Sequence, residues 1–224
     1  MAEQPAEPAE RRPRSLHSLA RVGFIEYDRV IFFSDAVFAI AMTVLALSLR
    51  LPSTTTDHGV AQALQDALPS IYSYVLSFVI ISLFWLAHHR MFHYICRVDA
   101  ALLVLNLATL GLVAFVPFPT SVLGDHNGST AAVVFYASTM VALGGLASAL
   151  WAYAAHDHRL VKPETPRTFV VHSLARGLAV PAVFAVSIPI AFANPSAAEW
   201  FWLTIAVVQV ALRRRFGSIY RPDA

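Results

Sequence analysis

The residues best able to do chemistry lie inside or beside long apolar stretches of the chain. Asp35 interrupts the first stretch, and His88, His89 and His93 close the second. A carboxylate within a membrane span is costly and requires a partner. Arg29, six residues earlier, lies about 240° around a helix from Asp35. The partner of Asp35 is therefore expected on another helix.

Histidines are one source of such a partner. Asp35 and the pair His88 and His89 fall at similar depth, toward the same end of their helices, which allows a hydrogen-bonded or ionic cluster. Asn106, in the third stretch, lies somewhat deeper and could join it. The middle of each stretch holds no ionisable residue, whereas a secondary transporter usually places such groups there. This absence argues against a transporter. A secondary transporter or small-solute permease that uses the Asp–His cluster is kept as the alternative function.

A metal site is a further interpretation of the histidines. His89 and His93 are four residues apart and share a helix face, which is a metal-ligand spacing. No third ligand accompanies them at a helical spacing, so we expect a structural polar cluster and no metal. The chain also has no glycine-rich phosphate loop, Cys-x-x-Cys pair or serine nucleophile motif. We expect no enzyme activity; a metal-dependent membrane enzyme that uses His88, His89 and His93 is the alternative.

An apolar stripe runs along the first stretch. At 100° per residue, Ile40, Val44 and Leu47 share one side of a helix. Thr43 lies beside them and is the only polar side chain near the middle of the stretch. Such a stripe on a membrane helix usually faces lipid or the protein core, so periodicity alone does not indicate a pore.

The elements that position these residues are membrane helices. The 224 residues are 57% hydrophobic and 13% charged, against about 25% charged in a soluble domain. A span of about 20 apolar residues crosses the hydrocarbon core. Six stretches fit, which predicts an all-α membrane protein with six transmembrane helices at residues 30–49, 68–92, 100–123, 130–155, 168–192 and 197–212.

Charge predicts the orientation and the boundaries. Nearly all of the 16 Lys and Arg residues lie in alternate connections and the two termini, and only Arg50 falls at the opposite ends. The positive-inside rule therefore places both termini in the cytoplasm, and we expect a bacterial plasma (inner) membrane. Residues 1–28 have no signal-peptide core and are predicted to be a disordered tail. The six-helix domain is predicted at 29–215, followed by a short tail at 216–224.

Three motifs resemble the transmembrane-protein-175 potassium channel family. Arg29 precedes the run Phe33-Ser34-Asp35-Ala36-Val37-Phe38-Ala39-Ile40, which is similar to the start of the first helix of that family. The second and third spans contribute Trp85-x-x-His88-His89, then Asn106 followed by Pro117-Phe118-Pro119-Thr120. Bacterial members commonly have Gly where this chain has Ala36.

The resemblance implies a potassium-selective channel that needs no cofactor, whose partners are K⁺ and the lipid bilayer and not nucleic acid. It implies a homotetramer with the first helices lining the pore. Ile40 would be the constriction, Val44 and Leu47 further apolar rings, and Thr43 a polar layer. Apolar constrictions gate by excluding water. A structural network would comprise Arg29, Phe33, Ser34, Asp35, Trp85, His88, His89 and Asn106.

Overall fold

The protein is described by a computed structural model for residues 17–51 and 56–216, with side chains for 27–51 and 56–212. Over this part of the chain the regular structure is helical, apart from one isolated bridge between Ile95 and Val161. Short 3₁₀ turns, Ala46–Ser48 and His156–His158, extend the first and sixth helices. The α-helices are α1 (His17–Leu45), α2 (Asp57–Asp66), α3 (Leu68–Tyr94), α4 (Ala100–Phe115), α5 (Pro117–Asp125), α6 (Thr130–Ala155), α7 (Arg167–Ala193), α8 (Pro195–Trp202) and α9 (Thr204–Phe216).

Six segments of the described chain are long and apolar enough to cross a membrane. Each overlaps one predicted span, so the prediction of an all-α membrane protein with six transmembrane helices is confirmed. The third span consists of α4 and α5, and the sixth consists of α8 and α9. The six segments are Tyr27–Ser48, Leu68–Tyr94, Ala100–Asp125, Thr130–His158, Arg167–Ala193 and Pro195–Leu212.

Proline shapes two of these spans. The helix α4 ends at Phe115, because Pro117 lacks an N–H group and its ring clashes with the preceding turn. Pro117 then begins α5. In contrast, α7 continues through Pro181 and Pro189. The ring of Pro181 packs so closely on Gly144 of α6 that a Cβ atom at Gly144 would lie 2.8 Å from its carbons. A residue without a side chain therefore permits this close contact of α6 with α7.

The bundle is built around α6, the most buried of the six spans, while α1 packs on α3 and α4. We call the end where α1, α4 and α7 begin the basal end, and the opposite end the distal end. At the basal end, Trp151 Nε1 donates to the Val170 carbonyl oxygen at 3.3 Å. At the distal end, Thr130 Oγ1 donates to the Ala191 carbonyl oxygen at 3.4 Å. These bonds join α6 to both ends of α7.

The predicted boundary of the N-terminal tail is wrong for part of its length. The helix α1 begins at His17, so residues 17–28 are helical instead of disordered. Hydropathy marks only the membrane-embedded part of a helix, and its backbone hydrogen bonds can continue beyond that part. Residues 1–16 lie outside the described part of the chain. So does the predicted tail at 216–224, except for Phe216 at the end of α9.

The connection between the first two spans contains a short helix, α2, that the hydropathy pattern does not predict. Thr56 caps α2, and its Oγ1 accepts a hydrogen bond from the Gly59 N–H at 3.1 Å. Asp57 lies in the first turn, where a negative charge favours the helix dipole. The Thr56–Asp57 pair is a recognisable helix start in the sequence. A hydropathy pattern does not detect such a capping pair.

Candidate functional site

The helix α1 has two distinct faces. Ser34, Phe38, Ala41 and Leu45 are buried against the rest of the bundle. Their spacing of three and four residues places them on one side of the helix. One side of α1 therefore packs into the bundle, and the other side is open.

The open side carries the residues of the apolar stripe. The exposed fractions are 61% for Ile40, 37% for Val44 and 68% for Leu47, and Thr43 is exposed beside them. The Thr43 hydroxyl donates to the Ile40 carbonyl oxygen at 2.8 Å. The hydroxyl hydrogen of Thr43 is thus engaged within the helix. On the open face, Thr43 therefore presents the lone pairs of its hydroxyl oxygen, which can accept hydrogen bonds.

The buried side is held by a directed chain of hydrogen bonds through three helices. His88 Nε2 of α3 lies 2.8 Å from Asn106 Oδ1 of α4. Asn106 Nδ2 donates to Ser34 Oγ of α1 at 3.0 Å, and Ser34 Oγ donates to the Val30 carbonyl oxygen at 2.7 Å. The three side chains are at most 3% exposed. We call Ser34, His88 and Asn106 the anchor. Hydrogen bonds in a buried network of this kind are stronger than in water, because the interior has a low dielectric constant.

Asp35 has a different partner from the one that the sequence suggested. Trp85 Nε1 donates to Asp35 Oδ1 at 2.8 Å, and the His89 ring lies against the Trp85 ring at a centroid distance of 5.7 Å. His88 pairs with Asn106 instead of Asp35. The partner of Asp35 is on another helix, as expected, but it is an indole N–H donor in place of a histidine.

Three of the predicted network residues stand apart from these hydrogen bonds. Arg29 and Phe33 are exposed, and neither joins the anchor among the side chains described. The angular offset of Arg29 from Asp35 explains its position on another face. His89 is exposed and reaches the network only through its ring contact.

The histidines do not assemble a metal centre in the described part of the chain. His89 and His93 are both exposed. No group of three or more His, Cys, Asp or Glu side chains that could hold a metal ion occurs in residues 27–51 and 56–212. The structure thus offers the pair of histidines no third ligand there.

A second buried polar chain lies nearer the distal end, and sequence reasoning missed it. Thr120 Oγ1 of α5 lies 2.8 Å from Ser77 Oγ of α3, which lies 2.9 Å from the Tyr136 hydroxyl of α6. All three residues are buried. Polar side chains inside membrane spans usually pair with one another, and that signal was present at Ser77, Thr120 and Tyr136. This chain joins α3, α5 and α6 as the anchor joins α1, α3 and α4.

The basal connections are tied together around Asp99. Asp99 Oδ1 accepts from the Leu102 N–H at 2.8 Å and thereby caps α4. Its Oδ2 accepts from the Tyr153 hydroxyl at 2.7 Å and from the Arg159 guanidinium. The hydrogen bond from the Leu102 N–H, followed in size by the one from the Tyr153 hydroxyl, stabilises the ionised carboxylate. These bonds hold the pKa of Asp99 below its usual value.

The lowered pKa of Asp99 predicts a pH-dependent difference in stability. A folded-state pKa below the unfolded value stabilises the protein above the unfolded value of about 3.9, and this contribution is lost as the pH falls through the folded pKa. Asp99→Asn is therefore expected to have a lower melting temperature than the wild type at pH 6. This gap in melting temperature should close as the pH falls below about 4. Thermal unfolding of the detergent-purified proteins from pH 6 to pH 3 measures the gap.

Tyr153→Phe provides the graded comparison for Asp99→Asn. It keeps the carboxylate and removes one of its donors, so its gap to the wild type should be smaller and should close over the same pH range. A gap between Asp99→Asn and the wild type that stays constant from pH 6 to pH 3 would contradict the stabilising role of the ionised carboxylate.

Comparisons with known proteins bear on this arrangement. The profile of the endosomal/lysosomal potassium channel TMEM175 matches residues 29–117, which contain the exposed face of α1 and the whole anchor. A potassium channel of Streptomyces collinus is 38% identical over 180 residues, which cover 75% of this chain and 87% of that protein. A potassium channel of Chamaesiphon minutus is 32% identical over 187 residues, with 81% and 89% covered.

The fold agrees with a solved structure of the same group. The crystal structure of a lysosomal potassium-selective channel TMEM175 homolog from Chamaesiphon minutus matches with a TM-score of 0.72 at 29% identity. The match covers 85% of this chain and 97% of that one. With relatives more than 30% identical over most of their own length, the chain belongs to the TMEM175 potassium channel family.

Proposed function

We propose that this chain is the subunit of a potassium channel in which four copies surround a central pore lined by α1. The observation that carries the proposal is the open face of α1, where Ile40, Thr43, Val44 and Leu47 lie opposite the face held in the bundle. The relatives are named potassium channels. The chain is accordingly not an enzyme, and the permeant ion K⁺ is its only proposed ligand.

The order of residues along the open face suggests how the pore works. With a rise of 1.5 Å per residue, the apolar stretch from Ile40 to Leu47 is about 10 Å long. A ring of four Ile40 side chains would exclude water, and a dehydrated ion cannot cross apolar contacts cheaply. Opening must therefore widen this ring. Thr43 supports cation passage, because its hydroxyl hydrogen is donated to the Ile40 carbonyl oxygen and its lone pairs remain available.

The buried side of α1 supports a pore helix of fixed rotation. The anchor ties α1 to both α3 and α4 through Ser34, and the Trp85–Asp35 bond adds a second tie to α3. A turn of one residue, about 100°, would remove Ile40 from the pore axis. Asp35 and His88 are thus engaged in holding the helix, which favours a structural role for them over a transporter site.

The charge distribution supports an orientation for the channel. Arg50 is the one Lys or Arg at the distal end in the described chain. The basal end carries Arg29, Arg90, Arg97, Arg159, Lys162 and Arg167. By the positive-inside rule, the basal end and both termini lie on the cytoplasmic side of a bacterial plasma membrane.

Potassium flux into liposomes that contain the purified full-length protein tests the proposal. We expect K⁺ uptake above that of empty liposomes, and a native mass four times that of the 24.5 kDa chain. An Ile40→Asn variant is measured alongside, because a closed wild-type pore would conceal the function. Absence of K⁺ flux in both proteins would overturn the proposal.

A further inference from the structure

Arg50 occupies an unusual place for a positive charge. The chain leaves the 3₁₀ turn Ala46–Ser48 at Leu49, whose backbone is extended, and Arg50 follows as an exposed residue. It comes three residues after Leu47, the last exposed apolar side chain of the α1 stripe. Arg50 therefore stands where the proposed pore helix meets water at the distal end.

The charge of Arg50 is not cancelled by a neighbour in the described chain. The remaining distal charges are Asp57 and Asp66 on α2, Asp125 at the end of α5 and Glu199 on α8. Among the residues with described side chains, none of these carboxylates forms an ion pair with Arg50. The end of a helix contributes only about half a negative charge, so one guanidinium exceeds it.

We infer that four copies of Arg50 form a positive ring at the distal mouth of the pore and slow K⁺ entry from that side. The inference rests on the proposed tetrameric pore lined by α1. Four helices of about 10 Å diameter packed around one axis hold this ring within roughly 10 Å of the ion path. Each guanidinium then repels an entering cation, and the four repulsion energies add and are equal on the pore axis.

Salt concentration decides how large the effect is. The Debye length is about 30 Å at 0.01 M and about 3 Å at 1 M. Four charges at about 10 Å in water then lower the K⁺ concentration at the mouth on the order of fivefold at 0.01 M, and almost not at all at 1 M. Removal of the Arg50 charge should therefore raise the current carried from the distal to the basal side at 10 mM K⁺, and leave it unchanged at 1 M.

The competing arrangement is one in which Arg50 turns outward to lipid headgroups at the membrane surface. Long basic side chains commonly reach the interface in this way. The charge would then lie on the outer rim of the assembly, beyond α1. Changes of charge at position 50 would leave the current unaltered at every salt concentration.

The test places a removable charge at position 50. Cys96, the one native cysteine, is first replaced in a Cys96→Ser background, and Arg50→Cys is added. In planar bilayers at about 10 mM K⁺, this variant should pass on the order of fivefold more distal-to-basal current than its background. A membrane-impermeant trimethylammonium thiosulfonate on the distal side should restore the original current. The corresponding sulfonate reagent should raise the current further, and both effects should disappear at 1 M K⁺.

Arg167→Gln is the matched control, since it removes an exposed arginine from the basal end and should leave distal-to-basal entry unchanged. Equal currents after the two reagents would overturn the role of Arg50, as would an Arg50→Cys current equal to that of its background at 10 mM K⁺. Arg50→Gln removes the same charge without a thiol and provides the comparison if Arg50→Cys fails to assemble. It is also measured in the Ile40→Asn background, where a closed pore cannot conceal the effect, and unchanged current at 10 mM K⁺ would overturn the role of Arg50. A protein that passes no K⁺ in any form, with Ile40→Asn included, would instead overturn the proposed channel.

Discussion

Ile40→Asn is expected to raise K⁺ flux through the purified channel about tenfold or more and to weaken its preference for K⁺ over Na⁺. An asparagine ring would admit water to the constriction, so an ion would no longer lose its hydration there. A barrier lowered by about 1.4 kcal/mol increases the rate tenfold. The increase is diagnostic, because substitutions that damage folding reduce flux. Liposome flux and bilayer currents in K⁺ and Na⁺ measure both effects.

Two controls separate polarity from size and from position. Ile40→Leu keeps an apolar side chain of the same volume and should leave flux close to that of the wild type. Val186→Asn introduces the same polar group at an exposed apolar position of α7, away from α1, and should not increase flux. If Ile40→Asn behaves like Val186→Asn, then Ile40 faces lipid and the pore lies elsewhere.

The number and type of the membrane spans could be predicted because hydropathy alone sets them. A chain with 57% hydrophobic residues must satisfy its backbone within helices in a bilayer, and each span is marked by its length. The same signal ends where lipid ends. It therefore missed the basal part of α1 before Arg29, which depends on backbone hydrogen bonds, and the short helix α2, which depends on the Thr56 cap.

The pairing of polar groups was only partly predictable. The sequence predicted that Asp35 and His88 lie at similar depth and that Asn106 lies somewhat deeper. In the structure Asp35 pairs with Trp85 of α3, and His88 pairs with Asn106 of α4. Which donor meets which acceptor depends on how far each helix is rotated about its axis. Helices that are apolar on all sides give no pattern from which to read that rotation, so Trp85 was not singled out over the histidines as the partner of Asp35.

Asn106→Leu is expected to destabilise the protein by about 1–3 kcal/mol, because it leaves a buried donor of His88 without an acceptor. The loss corresponds to a melting temperature lower by about 2–4 °C for each kcal/mol in a chain of this size. Thr109→Val is the matched control on the same helix. Thr109 is also buried, but its hydroxyl donates to the Leu105 carbonyl oxygen within α4 at 2.8 Å, so no other helix loses a partner.

A double-mutant cycle then distinguishes the anchor from simple packing. If Ser34 and Asn106 act through their mutual hydrogen bond, Ser34→Ala should cost less in the Asn106→Leu background than in the wild type. Additive losses, or an Asn106→Leu protein as stable as Thr109→Val, would contradict the anchor. Since the same residues hold the rotation of α1, the anchor variants should also alter conduction without touching the pore. A stable Asn106→Leu tetramer with wild-type flux would show that α1 keeps its orientation by packing alone.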